Sequence, residues 1–342
     1  MSKINRRQLL RTTAVLGGAA MLSGGWPFGG RAAAQETLML YNGQHRSTTE
    51  ALVAAFTKET GIAVTMRNAE SPELASQLIE EGASSPADLF YAEQSPPIAS
   101  LAEKGLLAPV DADALKQIPA AYSAKDGTWI GGTIRGRVIG YNKKLVAPAA
   151  LPASIMDFAT PALEGKFAYV IQDGFQEQIM AIKLLKGRAA ALDWLKGVKK
   201  YGKSYNGNRV AMNAVENGEI PMALTNNYYW YSMAKEKGAD KLSSAIHLVG
   251  KQDPGALLTV SAAGILKTSK KNELAQKFLA FMVSEKGQQA MIDTVGEYPV
   301  RHGIKSPFNL PPMEQYGAAQ VSSADIGGAA DAYALEREAG LI

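Results

Sequence analysis

Residues 38–66 read LMLYNGQHRSTTEALVAAFTKETGIAVTM. The apolar run at 38–41 predicts a strand, residues 47–50 (STTE) match a helix capping box, and Gly61 is typical of a helix end. Residues 62–66 predict the next strand. Strand, helix and strand in this order predict two parallel strands joined by a right-handed crossover, so this stretch places the chain in the α/β class.

The alternation of helices and strands continues and then starts again. A helix at 74–81 and a strand at 87–91 complete a first α/β series. Residues 128–141 are β-rich and contain four glycines, and we expect them to cross between two lobes. A second α/β series occupies 167–237, and residues 256–265 predict the return crossing. The chain is therefore predicted to form two hinged α/β lobes.

Domain boundaries follow from this pattern. Residues 1–34 are expected to be an export signal. Residues 35–134 and 259–309 are predicted to form the N-terminal lobe, and residues 135–258 and 310–342 the C-terminal lobe.

Two further helices are predicted towards the end of the chain. A long helix is expected over 272–291, with Phe278, Phe281 and Met282 on its apolar side. The last segment, 333–342, is expected to form a short helix.

The composition excludes several classes of function. The 342 residues are 46% hydrophobic and 20% charged, which is typical of a soluble globular protein. The absence of cysteine excludes disulfides, thiolate metal ligands and cysteine nucleophiles. The net charge of +4 depends on five basic residues among the first 34, beyond which 31 basic and 32 acidic residues remain. Nucleic-acid binding is therefore not expected, and a monomer is.

The N-terminus has the pattern of an export signal. Arg6 and Arg7 precede a leucine pair, a short apolar stretch follows, and residues 32–34 are three alanines. Paired arginines in this position resemble a twin-arginine signal, and an ordinary secretory signal is the alternative. We expect cleavage after Ala34 and a periplasmic location.

Three polar segments directly follow predicted strands: YNGQH at 41–45, FYAEQ at 90–94 and TNNYYW at 225–230. Ligands of open α/β sheets lie beyond the carboxyl ends of the strands. The first turn of a helix presents free N–H groups and a positive dipole end, which favours phenolate at Tyr228 and Tyr229. Ferric iron is a hard ion that suits phenolate, carboxylate and imidazole ligands.

Each of these residues also has a simpler interpretation. The aromatic run at 228–231 could pack on a core or stack on a sugar or amine. His45 alone is more often a surface or capping residue, and Glu93 alone is usually a solvated carboxylate. Only their joint position after three strands favours a metal site.

The same segments resemble the periplasmic ferric-ion-binding proteins of ABC iron importers. The similarity extends over nearly the whole mature chain, in the family's order, and is carried by YNGQH at 41–45, SPAD at 85–88, YAEQ at 91–94, AVENGEI at 214–220, NNYYW at 226–230 and DPGAL at 253–257. The resemblance implies a two-lobed, hinged type II periplasmic binding protein fold. It also implies capture of Fe(III) in the cleft and delivery to a membrane permease.

The ligand set is implied by this resemblance. In the family one histidine, one glutamate and two adjacent tyrosines bind the metal, and these match His45, Glu93, Tyr228 and Tyr229. His45 and Glu93 would come from one lobe and the tyrosines from the other. Iron would then hold the lobes closed.

The family often completes the iron shell with a small anion and water. Gln94, Asn208 and Asn226 match expected anion contacts. The family's TSGA stretch is replaced by QDG at 172–174, where a carboxylate stands for a hydroxyl. Phosphate is therefore in question, and carbonate, another carboxylate anion or water alone stay open.

Three residues near the second crossing have less definite roles. Arg135 and Arg137 are candidates for an anion-binding charge or for structural pairing with acids. Tyr141 is a candidate extra ligand, although core packing explains it equally simply.

Two other functions stay open from the sequence. The same fold binds organic solutes such as polyamines and thiamine, which leaves His45 and Glu93 without a role. A metal-dependent enzyme is the third hypothesis, but the chain contains no G-x-S-x-G, H-E-x-x-H or phosphate-loop motif. The prediction is therefore a binding protein and not an enzyme.

Overall fold

The computed structural model describes residues 37–250, 252–316 and 321–342. The predicted export signal, its twin-arginine pattern and the cleavage after Ala34 lie outside these residues. Among the described residues, no helix is both long and apolar enough to cross a membrane.

Strands and helices alternate along the described chain. The strands are β1 (Thr37–Asn42), β2 (Ala63–Asn68), β3 (Leu89–Ala92), β4 (Leu107–Ala108), β5 (Ile130–Asn142), β6 (Phe167–Tyr169), β7 (Lys203–Ser204), β8 (Met222–Asn226), β9 (Ser244–His247), β10 (Leu258–Leu266) and β11 (Tyr298–Pro299). The helices are α1 (Arg46–Thr60), α2 (Ser71–Glu81), α3 (Ser95–Glu103), α4 (Ala112–Leu115), α5 (Asp173–Lys186), α6 (Arg188–Tyr201), α7 (Asn208–Asn217), α8 (Asn227–Lys237), α9 (Asn272–Met282), α10 (Glu285–Ile292), α11 (Ser323–Ile326) and α12 (Ala330–Glu338).

The first α/β series forms the parallel sheet that the sequence predicts. Strand β1 lies between β2 and β3 and runs parallel to both. Strand β10 joins the open edge of β3 in the antiparallel direction and continues the sheet to β5. The carboxyl ends of β1 and β3 therefore meet at one edge of the sheet.

Strand β5 connects two sheets. Its first half pairs with β10, and its second half pairs with β8 and β9. Strands β8, β6 and β7 extend the second sheet, in which β6 is parallel to both neighbours. The predicted crossing over 128–141 is confirmed by this pairing, and β10 lies where the return crossing is predicted.

Each sheet has its own hydrophobic core. The first core contains side chains from residues 38–138 and 258–316, including Phe90 and Phe278. The second contains side chains from residues 139–257 and 321–339, including Trp194. The proposed lobe boundaries, within β5 and after residue 258, fall close to the change from one core to the other.

The predicted long helix over 272–291 is wrong. Two helices, α9 and α10, occupy it and are separated at Val283 and Ser284. The Ser284 side chain accepts a hydrogen bond from the Gly287 N–H, which starts the second helix. The backbone of Gly287 lies against the Phe281 carbonyl, where a Cβ atom would collide. The apolar periodicity is continuous across this break, so it does not reveal the turn.

The predicted capping box at 47–50 is also wrong. Helix α1 begins at Arg46, with His45 as its N-cap residue. The backbone N–H groups of Thr48 and Thr49 donate to the His45 carbonyl at 3.0 and 3.1 Å. The Thr49 hydroxyl donates to Asn42 Oδ1 at 2.8 Å, so this threonine fixes the turn between β1 and α1.

Candidate metal centre

The four predicted ligands stand at helix starts that directly follow strands. His45 is the N-cap residue of α1, and Glu93 lies between β3 and α3. Tyr228 and Tyr229 are in the first turn of α8, directly after β8. Because β1 and β3 are parallel neighbours, they bring His45 and Glu93 together, while β8 contributes the tyrosines from the second sheet.

The side chains of these residues converge. The Tyr228 hydroxyl donates a hydrogen bond to Glu93 Oε1 at 2.8 Å, and His45 Nε2 lies 3.9 Å from the same oxygen. The ring centroids of His45 and Tyr228 are 4.9 Å apart, and those of Tyr228 and Tyr229 are 4.3 Å apart. An imidazole, a carboxylate and two phenols therefore meet at one point.

Hydrogen bonds within the β1–α1 turn fix the position of His45. Asn42 Nδ2 donates to the Gln44 carbonyl at 2.9 Å, and Asn42 Oδ1 accepts from the Gln44 N–H at 3.2 Å. The Gln44 side chain in turn accepts from the His45 N–H at 2.8 Å. The Asn-Gly pair after β1 thus forms a specific turn that presents the imidazole.

Ser71 connects the two ligand-bearing turns. Its hydroxyl accepts a hydrogen bond from the Glu93 N–H at 2.9 Å and donates to the Gly43 carbonyl at 3.2 Å. A Cβ atom on Gly43 would collide with Ser71, so this close approach requires glycine. The spacing of His45 and Glu93 is therefore set by α2 as well as by the sheet.

Both phenols hold their protons strongly in the metal-free structure. Burial, with the nearby Glu93 carboxylate, raises the pKa of Tyr228 well above its ordinary value. The same two causes raise the pKa of Tyr229 to about 12. A strong Lewis acid is therefore needed to form phenolate here at neutral pH.

The pKa of His45 is raised by a balance of opposing effects. Burial lowers it, but the Glu93 and Glu297 carboxylates outweigh burial and favour the charged imidazolium. Glu297 is fully buried, with its Oε1 atom 3.6 Å from His45 Nε2. Metal binding at this nitrogen would displace a proton wherever the imidazole is charged.

A cavity of about 290 Å³ adjoins the four side chains. Its lining includes the N-cap residues of five helices, and within the described residues none of them forms a side-chain capping hydrogen bond: His45 of α1, Gln94 of α3, Gln172 of α5, Gly207 of α7 and Asn226 of α8. Five helix N-termini directed at one cavity create a positive potential there. The cavity suits an anion.

The predicted anion contacts divide into two groups. Gln94, Asn208 and Asn226 line the cavity, and the Oε1 atom of the 3% exposed Gln94 has no partner within the described residues. Asn208 donates to Gln172 Oε1 at 3.1 Å, and Asn226 donates to the Tyr228 hydroxyl at 3.3 Å. Of the QDG stretch, Gln172 and Gly174 line the cavity, while the Asp173 side chain lies outside the described part.

The two arginines on β5 lie beneath the cavity instead of lining it. Arg135 Nε donates to Glu297 Oε1 at 3.1 Å in a fully buried ion pair. Arg137 Nη1 donates to Asn226 Oδ1 at 2.8 Å. The alternative of structural pairing with an acid therefore describes Arg135, and Arg137 orients an anion-contact residue.

The structure does not bring Tyr141 to the cavity. It pairs with Met222 at the start of β8, four residues from Asn226 at the end that faces the cavity. At about 3.3 Å per residue this places Tyr141 more than about 10 Å along the strand. Its ring packs against the second core, as the simpler interpretation holds.

Three charged residues near the site have no recognisable signal in the sequence. Glu297 precedes β11 and reaches His45 only through the fold. Glu70 and Arg209 line the cavity from the N-terminal ends of α2 and α7. Within the described residues, no group of three or more histidine, cysteine, aspartate and glutamate side chains forms a metal cluster, so the tyrosine pair is essential to a metal site here.

Two α/β lobes that share a crossing strand, with polar side chains converging on a cavity, define a hinged binding protein for a small solute. Residues 42–289 match the family of bacterial extracellular solute-binding proteins, and the chain belongs to this family.

Relatives with similar sequences are named for iron binding. The Major ferric iron-binding protein of Neisseria meningitidis is 42% identical over 310 residues, which cover 89% of this chain and 93% of that protein. The Fe(3+)-binding periplasmic protein of Serratia marcescens is 34% identical over 336 residues, covering 97% and 98%. Iron-bound HitA from Pseudomonas aeruginosa has a TM-score of 0.86 at 47% identity, covering 89% of this chain and 99% of that one. The predicted two-lobed fold is confirmed.

Proposed function

We propose that this protein captures ferric iron in its interlobe cavity and delivers it to an ABC permease. His45, Glu93, Tyr228 and Tyr229 are the proposed ligands. The observation that carries the proposal is the convergence of one imidazole, one carboxylate and two adjacent phenols, with the Tyr228 hydroxyl 2.8 Å from Glu93 Oε1. The names of the relatives from Neisseria and Serratia support the same cargo.

The charge of the donor set matches ferric iron. Two phenolates and one carboxylate carry three negative charges, and a neutral imidazole adds none. Their sum equals the charge of Fe(III), so the loaded centre buries little net charge. A divalent cation would leave a net negative charge in the same place.

The proposed ligands couple iron binding to closure. His45 and Glu93 belong to the first sheet, and the tyrosine pair follows a strand of the second. An ion bound to all four favours the closed arrangement of the lobes, which a permease can distinguish from the open one. The family of the chain supports a location outside the cytoplasmic membrane, and we propose the periplasm and a monomer.

Four protein donors leave part of the iron coordination shell to a small anion or water. The cavity beside the tyrosines offers Gln94, Asn208 and Asn226 together with five helix N-termini. We propose that phosphate or carbonate binds there beside the iron. The protein then acts as a binding protein with no catalytic step.

A visible absorption titration with a weak ferric chelate tests the function. We expect a broad phenolate-to-iron band that saturates near one iron per chain. The Tyr228→Phe/Tyr229→Phe variant should lose the band. The Tyr231→Phe variant should keep it, because Tyr231 lies on the same helix and packs on Trp230 away from the cavity.

Absence of the band from the folded wild-type protein would exclude ferric binding. Screening of organic cations in the same cavity would then be the next experiment. Titrations with phosphate, with carbonate and with neither anion would show which co-ligand the centre takes.

A further inference from the structure

Arg209 is a cation in the cavity that the proposed ligand set does not use. It is the second residue of α7, directly after Asn208, and its side chain is exposed. Its guanidinium carbon lies 5.9 Å from the centroid of the Tyr229 ring, in a cation–π arrangement. Among the described residues that line the cavity, Arg209 is the one arginine or lysine.

The other charged side chains in the lining would repel an anion. Glu93 and Glu70 are carboxylates on the side of the cavity formed by the first sheet. Arg209 is on the opposite side, beside Asn208 and close to Tyr229. An anion that neighbours the iron is therefore attracted towards the α7 side of the cavity.

Two independent features point to a ligand at this place. The Oε1 atom of Gln94, whose side chain is buried, has no hydrogen-bond partner within the described residues. The N-terminal end of α7 also opens into the cavity at Gly207 and Asn208. A protonated oxygen of a bound oxyanion could satisfy Gln94, while its charged oxygens face α7 and Arg209.

We propose that Arg209 sets the selectivity of the cavity for a multiply charged oxyanion as the co-ligand of iron. A guanidinium presents several N–H donors in a planar fork, which fits phosphate or the carboxylates of a polycarboxylate. A singly charged anion gains less from the same contact. The proposal rests on the proposed ferric function and adds the chemical class of the second component.

Anion-dependent iron titrations test this selectivity. Iron affinity is measured by chelator competition with phosphate, citrate, acetate or no added anion, for the wild type, Arg209→Gln and Arg209→Lys. We expect Arg209→Gln to reduce the gain in affinity from phosphate or citrate about tenfold to a hundredfold, and to change the acetate value little. Arg209→Lys should recover part of the loss, because it keeps the charge without the fork.

Lys203→Gln is the matched control. It removes one exposed positive charge from the same lobe at a residue that does not line the cavity. An equal loss in this variant would mean long-range attraction and would overturn the proposal. An equal loss in Arg209→Gln with every anion, or with none, would assign Arg209 to Tyr229 and would also overturn it. A larger loss for phosphate than for citrate, or the reverse, would identify the class of oxyanion.

A measurement without iron separates this proposal from the ferric function. The ³¹P resonance of phosphate should broaden on addition of the iron-free wild-type protein and broaden less with Arg209→Gln. If the wild type shows no phenolate-to-iron band yet gives this difference, the ferric function fails and the anion site stands. Equal broadening with both proteins contradicts the assignment of Arg209.

Discussion

The affinity for ferric iron should depend steeply on pH, because iron must replace phenolic protons. At pH 7 the Tyr229 phenol, with a pKa of about 12, is protonated. A gap of about five pH units corresponds to about 7 kcal/mol for ionising this one phenol. Burial and the Glu93 carboxylate place the pKa of Tyr228 well above its ordinary value, so this phenol is also protonated. The iron–oxygen bonds must exceed both costs.

The expected slope follows from the number of protons displaced. With two phenols ionised on binding, affinity falls about a hundredfold for each unit by which pH decreases. The His45 pKa is raised, so the slope should increase further once pH falls below that value. The Tyr229→Phe variant retains one phenol, and its slope should be about tenfold per unit.

Chelator competition at several pH values, corrected for protonation of the chelator, measures this slope. Proton release into a weakly buffered solution gives an independent count, with about two protons per iron expected in the wild type above the pKa of His45. Affinity that is equal at pH 5 and pH 8 would refute phenolate ligation. An unchanged slope in Tyr229→Phe would show that this phenol is not a ligand.

Other predictions concern stability. Burial raises the pKa of Glu177 from 4.5 to about 7, so the folded protein favours its protonated form and stability falls as pH rises between these values; Glu177→Gln should remove this dependence and be more stable than the wild type at pH 8 by up to about 3 kcal/mol in urea unfolding, whereas a constant difference at all pH values would contradict the assignment. Gly136→Ala places a methyl group against the Tyr316 ring and should lower the free energy of unfolding by about 1–3 kcal/mol; no change in calorimetry would show that the ring moves freely. Gly287→Ala should cost more, because its methyl group meets the Phe281 backbone, and an equal or smaller loss of melting temperature would disprove this ranking.

The first lobe was predictable because its pattern is local. The strand–helix–strand order of residues 38–66 gives parallel strands whatever the rest of the chain does, and the structure pairs β1 with both β2 and β3. The break between α9 and α10 was not predictable from periodicity. It depends on Ser284 and on a close approach at Gly287, and neither interrupts the apolar pattern.

The proposed ligands were recognisable from the sequence because each stands directly after a strand. His45, Glu93 and the tyrosine pair are 48 to 136 residues apart in the chain, but their strands end at the same cleft. The resemblance to a known family added which of the residues in those segments bind metal. The structure brings these side chains together, and ligation itself stays a prediction.

The sequence by itself determined the α/β class, the two crossings and the identity of the candidate donors, since these depend on residue type and on short-range order. Only the tertiary structure decided which charges surround them. Glu297 reaches His45 from beyond the last helix of the first lobe, Arg135 is committed to Glu297, and Arg209 stands over Tyr229. Such contacts join residues far apart in the chain, and a side chain's charge has no periodic signature in the sequence that tells which partner it will face.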